Sequence, residues 1–202
     1  MEEAEFVSAS LLREKLKQND YKFCEKYISK AIMDLFSQEN ISDIGKIENA
    51  ILSVLRTKSQ NELKNLPDLS EGVENKLFSA IGLATSLEEL YNTMKVKRYT
   101  LARIRRLVLS AFLGVNNSLF MKPLPYLRVL GFSKNGELFI KQTLCKSEIP
   151  VVYRAADVKT LSDTAQYVFE TESRATDLYL LSLQKPQKCG LEYTSKIIKT
   201  EC

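Results

Sequence analysis

The sequence predicts a mainly α, α+β fold: a helical bundle with a small βαβ unit appended near the C-terminus. Apolar residues recur every three or four positions along most of the chain, the spacing of one helix face. Only two short runs, 126–132 (YLRVLGF) and 149–153 (IPVVY), have strand character, and a helix-spaced segment lies between them. Two strands with a helix between them suit a parallel crossover. At 202 residues, 45% apolar and 27% charged, the chain can bury a real core and hold one domain or two small ones.

Each element has its own signal. Residues 6–16 (FVSASLLREKL) enter a helix from an extended segment, with Ser8 or Ser10 as N-cap and Leu11, Leu12 and Leu16 beginning an apolar face. Residues 21–36 predict a second helix with Phe23, Tyr27, Ala31 and Leu35 on one side, and 47–55 a third through Ile47, Ile51, Leu52 and Leu55. Leu66-Pro67-Asp68 punctuates the chain. Ser70-Glu71-Gly72 then launches a helix through Leu77, Ile81 and Ala84. Ser86 followed three residues on by Glu89 has capping-box spacing and starts a short helix through Leu87, Leu90 and Tyr91. Thr100 caps the next helix, which stops at Gly114. On it, Leu101, Ile104, Val108, Ala111, Phe112 and Val115 form the buried stripe, with Arg103, Arg106 and Ser110 opposite and Arg105 at the margin. After Asn116-Asn117 come the first strand, a turn at Lys134-Asn135-Gly136, helical spacing over 137–145, the second strand and a long helix over 160–183. The Lys-rich tail from Pro186 is expected to fray.

Charge is distributed unevenly. The stretch KVKRYTLARIRR, residues 95–106, holds Lys95, Lys97, Arg98, Arg103, Arg105 and Arg106. No Asp or Glu occurs from Leu90 to Gly136, where nine positives fall, leaving 20 positives against 25 negatives elsewhere. The net charge of +4 therefore hides a basic concentration of the kind that meets a polyanion, most often nucleic acid. A solvated helix face is the plainer alternative, but such faces alternate signs, and here no acid lies within reach along the helix. Cations at a helix N-terminus also oppose the macrodipole, so stability alone does not favour the arrangement. Ser8, Ser10 and Arg13 raise a second pair of readings: a serine-capped helix, or a phosphate clamp of hydroxyls, free N–H groups and a guanidinium.

Other features narrow the field. The chain has no histidine, which removes Ser-His-Asp and Cys-His nucleophiles, HExxH metal sites and any histidine base. It has neither a GxxxxGK[ST] loop nor a GxGxxG. Cys24, Cys145, Cys189 and Cys202 form no CxxC pair and are expected to be reduced thiols in the cytoplasm. No apolar run nears the roughly 20 residues needed to cross a bilayer, and MEEAEF lacks a signal-peptide core, so no membrane partner is expected.

The segments EGVENKL, ATSLEELYNTMKVKRYTLARIRRLVLSAFLGV, PYLRVLGFSKNGELFI and ATDLY resemble the C-terminal half of the bacterial tRNA(Met) cytidine acetate ligases, a nucleotidyltransferase-like family. The likeness spans about 6–179, and its most specific part is Lys97, Arg98, Tyr99, Thr100, Arg103 and Arg106 in the pattern KRYTxxRxxR. It implies a two-step reaction, in which ATP and acetate form acetyl-adenylate and the acetyl group passes to the wobble cytidine of elongator tRNA(Met). It also implies an N-terminal Rossmann-like domain whose HxGH motif holds most of the ATP, with Mg2+ accompanying it. That motif cannot lie in a chain without histidine, so no catalytic residue is assigned here and this chain alone is expected to be inactive. FVSASLLR resembles the superfamily's ISSTxxR motif, which implies ATP-phosphate contacts from Ser8, Ser10 and Arg13. Ala9 departs from the pattern by one hydroxyl. Taken as the tRNA-binding surface of such a half, the basic stretch gives expected RNA contacts from Lys95, Lys97, Arg98, Tyr99, Arg103, Arg105 and Arg106.

The expected organisation is a nucleotidyltransferase remnant over 1–20, a helical RNA-binding domain over 21–116 and a βαβ-plus-helix subdomain over 117–202. Two alternatives remain open. One is a non-enzymatic helical module whose basic surface meets an acidic protein patch. The other is a related nucleotidyltransferase with a different acceptor.

Overall fold

A computed structural model describes residues 6–34, 41–69, 72–119 and 122–200, with Cys145 described by its backbone only. Leu35, Ser70, Glu71 and Cys202, named in the expectations above, lie outside the described residues.

The first helix, α1 (Ala9–Lys17), begins where Ser8 Oγ accepts from the Leu11 N–H at 3.2 Å. The expected second helix is instead two single turns, α2 (Tyr21–Cys24) and α3 (Lys30–Met33). Its predicted face is not buried: Tyr27 and Ala31 are exposed, while Cys24 is fully buried with its thiol 3.8 Å from the Leu12 carbonyl. With no continuous face to bury, a longer helix gains little from packing.

A 3₁₀ turn (Ile44–Ile47) leads into α4 (Glu48–Arg56), followed by α5 (Gln60–Leu63), α6 (Val73–Leu83), α7 (Leu87–Met94) and α8 (Leu101–Leu113). These five helices enclose the main core, where Ile51, Leu55, Leu63, Leu77, Leu90, Met94 and Val108 are fully buried. Each such side chain contributes about 1.5–3 kcal/mol. The caps fall where expected. Ser86 Oγ accepts from the Glu89 N–H at 3.1 Å, although the Glu89 carboxylate turns to the Thr85 N–H and hydroxyl instead of completing the box. Gly114 ends α8 at φ +73°, a conformation glycine adopts without steric cost. The α8 stripe is rotated from the expectation: Leu107 is buried and Leu101 is 39% exposed, because the helix packs against both α4 and α7.

The second core belongs to the C-terminal part. Strands β1 (Leu127–Arg128) and β2 (Gly131–Ser133) precede α9 (Lys134–Gln142), β3 (Val151–Val152), α10 (Ala155–Val158), α11 (Asp163–Leu181), α12 (Leu191–Thr194) and β4 (Ile198–Thr200). The parallel β1–β3 pair with α9 between them is the expected βαβ unit, packed around Tyr126, Val152, Ala165 and Phe169.

Three details differ from the expectation. The single strand over 126–132 is split, because after Val129 donates to the Val152 carbonyl at 3.0 Å the chain changes partners and β2 pairs in parallel with β4. Gly131 permits this approach, since a Cβ there would sit 3.0 Å from the Ile198 carbonyl oxygen. The Lys134-Asn135-Gly136 turn is the first turn of α9, with Ser133 Oγ accepting from the Gly136 N–H at 3.3 Å. The tail is held rather than frayed: Arg128 pairs with Glu192, and Asp177 accepts from the Gly190 N–H at 2.7 Å.

The long α11 ties the two cores together. Tyr167 donates to the Gly114 carbonyl at 3.2 Å, and Ser182 accepts from the Asp43 N–H at 2.8 Å. The second contact fixes residues 41–43 beside α1, which completes the cavity described next.

Candidate nucleic-acid interface

Between α7 and α8 the chain makes a tight turn closed by the Tyr99 N–H donating to the Val96 carbonyl at 3.1 Å. Lys95, Lys97 and Arg98 project from it into solvent, and among the described residues none forms an ion pair. Thr100 Oγ1 then accepts from the Arg103 N–H at 3.3 Å and starts the helix. Three cations therefore crowd one end of α8, where the helix dipole adds to the positive potential.

The arginines expected on the far face of α8 do have a counter-charge. Arg103 donates to the Asp68 carbonyl from Nε at 3.2 Å and Nη2 at 2.7 Å, with its Nε 3.6 Å from Asp68 Oδ1. Arg106 Nη2 lies 3.0 Å from Asp68 Oδ2. The acid comes from 35 residues upstream, beyond the reach of any pairing rule along one helix. Asp68 holds a left-handed φ of +59°, which aspartate tolerates better than most residues. The buried Leu66-Pro67 pair just before it fixes its position. One carboxylate thus serves two guanidiniums and leaves a net positive charge. Arg103 is half-buried, with its guanidinium 5.0 Å from the Tyr99 ring, and Tyr99 itself packs on the main core. Both residues therefore have a structural part beside any contact with RNA.

Arg105 points elsewhere. Its guanidinium sits 5.6 Å from the Tyr91 ring and faces a cavity of about 560 Å³ between α8, α1 and residues 42–44. Ser10 and Arg13 line the same cavity from α1. Ser8 does not line it, being spent on its cap. Lys17, at the rim, is paired with Asp43 at 2.9 Å. Burial pushes the Tyr91 hydroxyl above its ordinary range, opposed by the nearby Arg105 charge, so the ring is a neutral platform for the guanidinium. Sequence reading placed Arg13 and Arg105 in different functional groups, whereas in the fold both line one cavity. Tyr91 and Asp68 carried no local signal beyond a helix-face aromatic and a loop acid.

The remaining cations of the basic window divide. Arg128 is engaged by Glu192 and lies over Phe169 at 5.2 Å, so its role is structural. Lys122 donates to the Thr164 hydroxyl at 3.0 Å, and Lys134 is exposed. Among the described residues, no group of three or more His, Cys, Asp or Glu is placed to hold a metal ion.

Comparison with known proteins adds to the geometry. The family model for HIGH nucleotidyl transferases matches residues 1–193. The tRNA(Met) cytidine acetate ligase of Caldanaerobacter subterraneus subsp. tengcongensis is 30% identical over 205 residues, covering 98% of this chain and 50% of that protein. The protein of the same name from Clostridium novyi is 35% identical over 171 residues, covering 80% and 42%. Among solved structures, apo Thermotoga maritima TmcAL superposes with a TM-score of 0.85 at 19% identity, covering 99% of this chain and 52% of that one. Its form bound with alpha-thio ATP gives 0.85 at 20% identity, covering 98% and 53%. The chain spans about half the length of the curated relatives it matches.

Proposed function

The chain belongs to the HIGH nucleotidyl transferase family, and from that premise we propose that it is the C-terminal, tRNA-holding portion of an ATP-dependent tRNA(Met) cytidine acetate ligase. Its task is to seat elongator tRNA(Met) so that the wobble cytidine reaches acetyl-adenylate formed by residues outside this chain. The observation that carries the reading is the turn of Lys95, Lys97 and Arg98 at the start of α8, unopposed by carboxylates among the described residues. Exposed cations on a protruding turn suit the phosphates of a folded RNA, which dominate affinity without reading sequence. The ligase names of the relatives and the family match support the same enzyme class.

Within this portion, Lys95, Lys97 and Arg98 contact RNA phosphates directly. Arg106, 65% exposed, shares Asp68 and adds a fourth contact. Arg103 and Tyr99 hold the turn in shape and present its edge to the RNA. Ser10 and Arg13 face the ATP phosphates, and Ser8 organises the helix start they stand on. These residues fit the anionic end of a nucleotide and provide no metal site, so Mg2+ is assigned no ligand here. The main core falls within 21–116 and the second within 117–202, which supports dividing the chain into a helical RNA-binding domain and a βαβ-plus-helix subdomain, with 1–20 as the nucleotidyltransferase remnant. No described helix is long and apolar enough to cross a membrane.

The test is binding of elongator tRNA(Met) by this chain and by its Lys97→Glu/Arg98→Glu variant. Loss of binding in the variant, with the fold intact, is the expected result. If the unaltered chain does not bind tRNA yet retains an acidic protein through the same two residues, it is an interaction module and the reading falls.

A further inference from the structure

We infer that Arg105 is not part of the RNA-facing surface but, with Arg13, forms a two-cation clamp for the polyphosphate chain of a nucleotide in the cavity between α1 and α8. The inference deepens the proposal above and rests on its reading of the chain as part of a nucleotide- and RNA-using ligase. Three observations support it. The cavity, at about 560 Å³, lies within the roughly 300–1,000 Å³ range of small-molecule sites. Its cationic lining comes from two separate elements, Arg13 on α1 and Arg105 on α8, so the charges face one space from different walls. The cations are also not cancelled. The Glu14 carboxylate also lines the cavity and accepts from the Gln18 amide at 3.3 Å, and Lys17 at the rim is paired with Asp43. Yet among the described residues neither Arg13 nor Arg105 forms an ion pair, so the two guanidiniums outnumber the one lining carboxylate.

Tyr91 explains why Arg105 turns inward. A guanidinium over an aromatic face is held electrostatically, and a ring fixed in the core spares the arginine part of its rotamer entropy. A recess admits a compact polyphosphate whose oxygens arginine recognises in pairs. The backbone of a structured RNA is better met by exposed cations such as those of the Lys95–Arg98 turn, between α7 and α8. Two separate anion-facing surfaces therefore meet at α8, the cavity beside it and the turn that leads into it.

The experiment uses this chain, sodium tripolyphosphate as the nucleotide-side probe and an anticodon stem-loop RNA as the other. Calorimetric titration is expected to show tripolyphosphate binding that Arg13→Gln and Arg105→Gln each weaken at least tenfold, while Arg98→Gln leaves it within twofold. Stem-loop binding without tripolyphosphate is expected to show the opposite pattern. Should Arg105→Gln lower the melting temperature of the free chain, Arg13→Gln, on the opposite wall, decides the matter alone. Tripolyphosphate that fails to bind the unaltered chain, or that responds equally to Arg98 and Arg105, overturns the clamp. Arg105→Gln that weakens only the RNA returns that residue to the outer face and leaves the proposed function standing. Tripolyphosphate binding that behaves as described beside RNA binding indifferent to Arg98 sinks the proposed function and spares the clamp.

Discussion

Replacing Asp68 with Asn isolates the one carboxylate that, among the described residues, pairs with Arg103 and Arg106. Asn keeps the size and the tolerance for the left-handed backbone at φ +59°, and the carbonyl that accepts from Arg103 is backbone and stays. What is lost is one negative charge 3.0 Å from Arg106 and 3.6 Å from Arg103. Asp68 is half-exposed, so each pair contributes about 0.2–1 kcal/mol and the variant is destabilised by about 1 kcal/mol. For a chain of this size that lowers Tm by about 2–4 °C. The effect on RNA runs the other way. Without the Asp68 carboxylate the Arg106 guanidinium is free to meet phosphate, Arg103 stays on the backbone carbonyl, and the face gains one net positive charge. Affinity for the stem-loop is expected to rise threefold to tenfold at low salt, about 0.7–1.4 kcal/mol. The slope of log affinity against log salt steepens by about 0.7–0.9 for each added phosphate contact. Fluorescence anisotropy across a salt series measures both quantities, and a parallel thermal melt gives the stability cost. Binding that weakens in Asp68→Asn would show that the carboxylate organises the arginines for RNA rather than competing with it, and would refute this reasoning.

Three further outcomes follow from the geometry. Leu90→Ala removes a fully buried side chain from the main core and costs about 2–5 kcal/mol, read by chemical denaturation; a loss under 1 kcal/mol would mean the helices of that core pack otherwise. Glu62, whose carboxylate accepts from the Ser59 N–H at 2.8 Å and from its hydroxyl at 2.9 Å, is held at about 2 against an ordinary 4.5. A carboxylate depressed in this way lends stability that is present above its ordinary value and lost as pH falls toward 2, so Glu62→Gln should flatten that part of the stability–pH curve. An unchanged acid limb in the variant counts against the capping geometry. Gly131→Ala places a Cβ 3.0 Å from the Ile198 carbonyl oxygen and should loosen β4, seen as faster amide exchange over 198–200 with α4–α8 unaffected.

What the sequence made legible was local. Ser86 and Thr100 cap helices where their spacing said they would, and Gly114 stops α8 because few other residues take its backbone angle cheaply. The β1–α9–β3 crossover was visible because each of its parts has a distinct pattern. What stayed hidden was non-local. Asp68 lies 35 residues before Arg103, and nothing in either neighbourhood names the other. Helical periodicity put Arg105 at a margin but could not say that α1 and residues 42–44 would close a cavity over it. The tail looked frayed by composition, whereas Arg128 and Asp177 hold it through partners that only the fold supplies. The split of one expected strand between two sheets has the same origin, since pairing partners and not propensity decide where a strand ends.

The most direct test of the account is the salt dependence of stem-loop RNA binding by this chain and by its Lys97→Gln/Arg98→Gln variant. Two lost phosphate contacts should make the log–log slope shallower by about 1.4–1.8 with little change in Tm. A slope that does not move, beside an intact fold, contradicts the claim that this turn grips RNA.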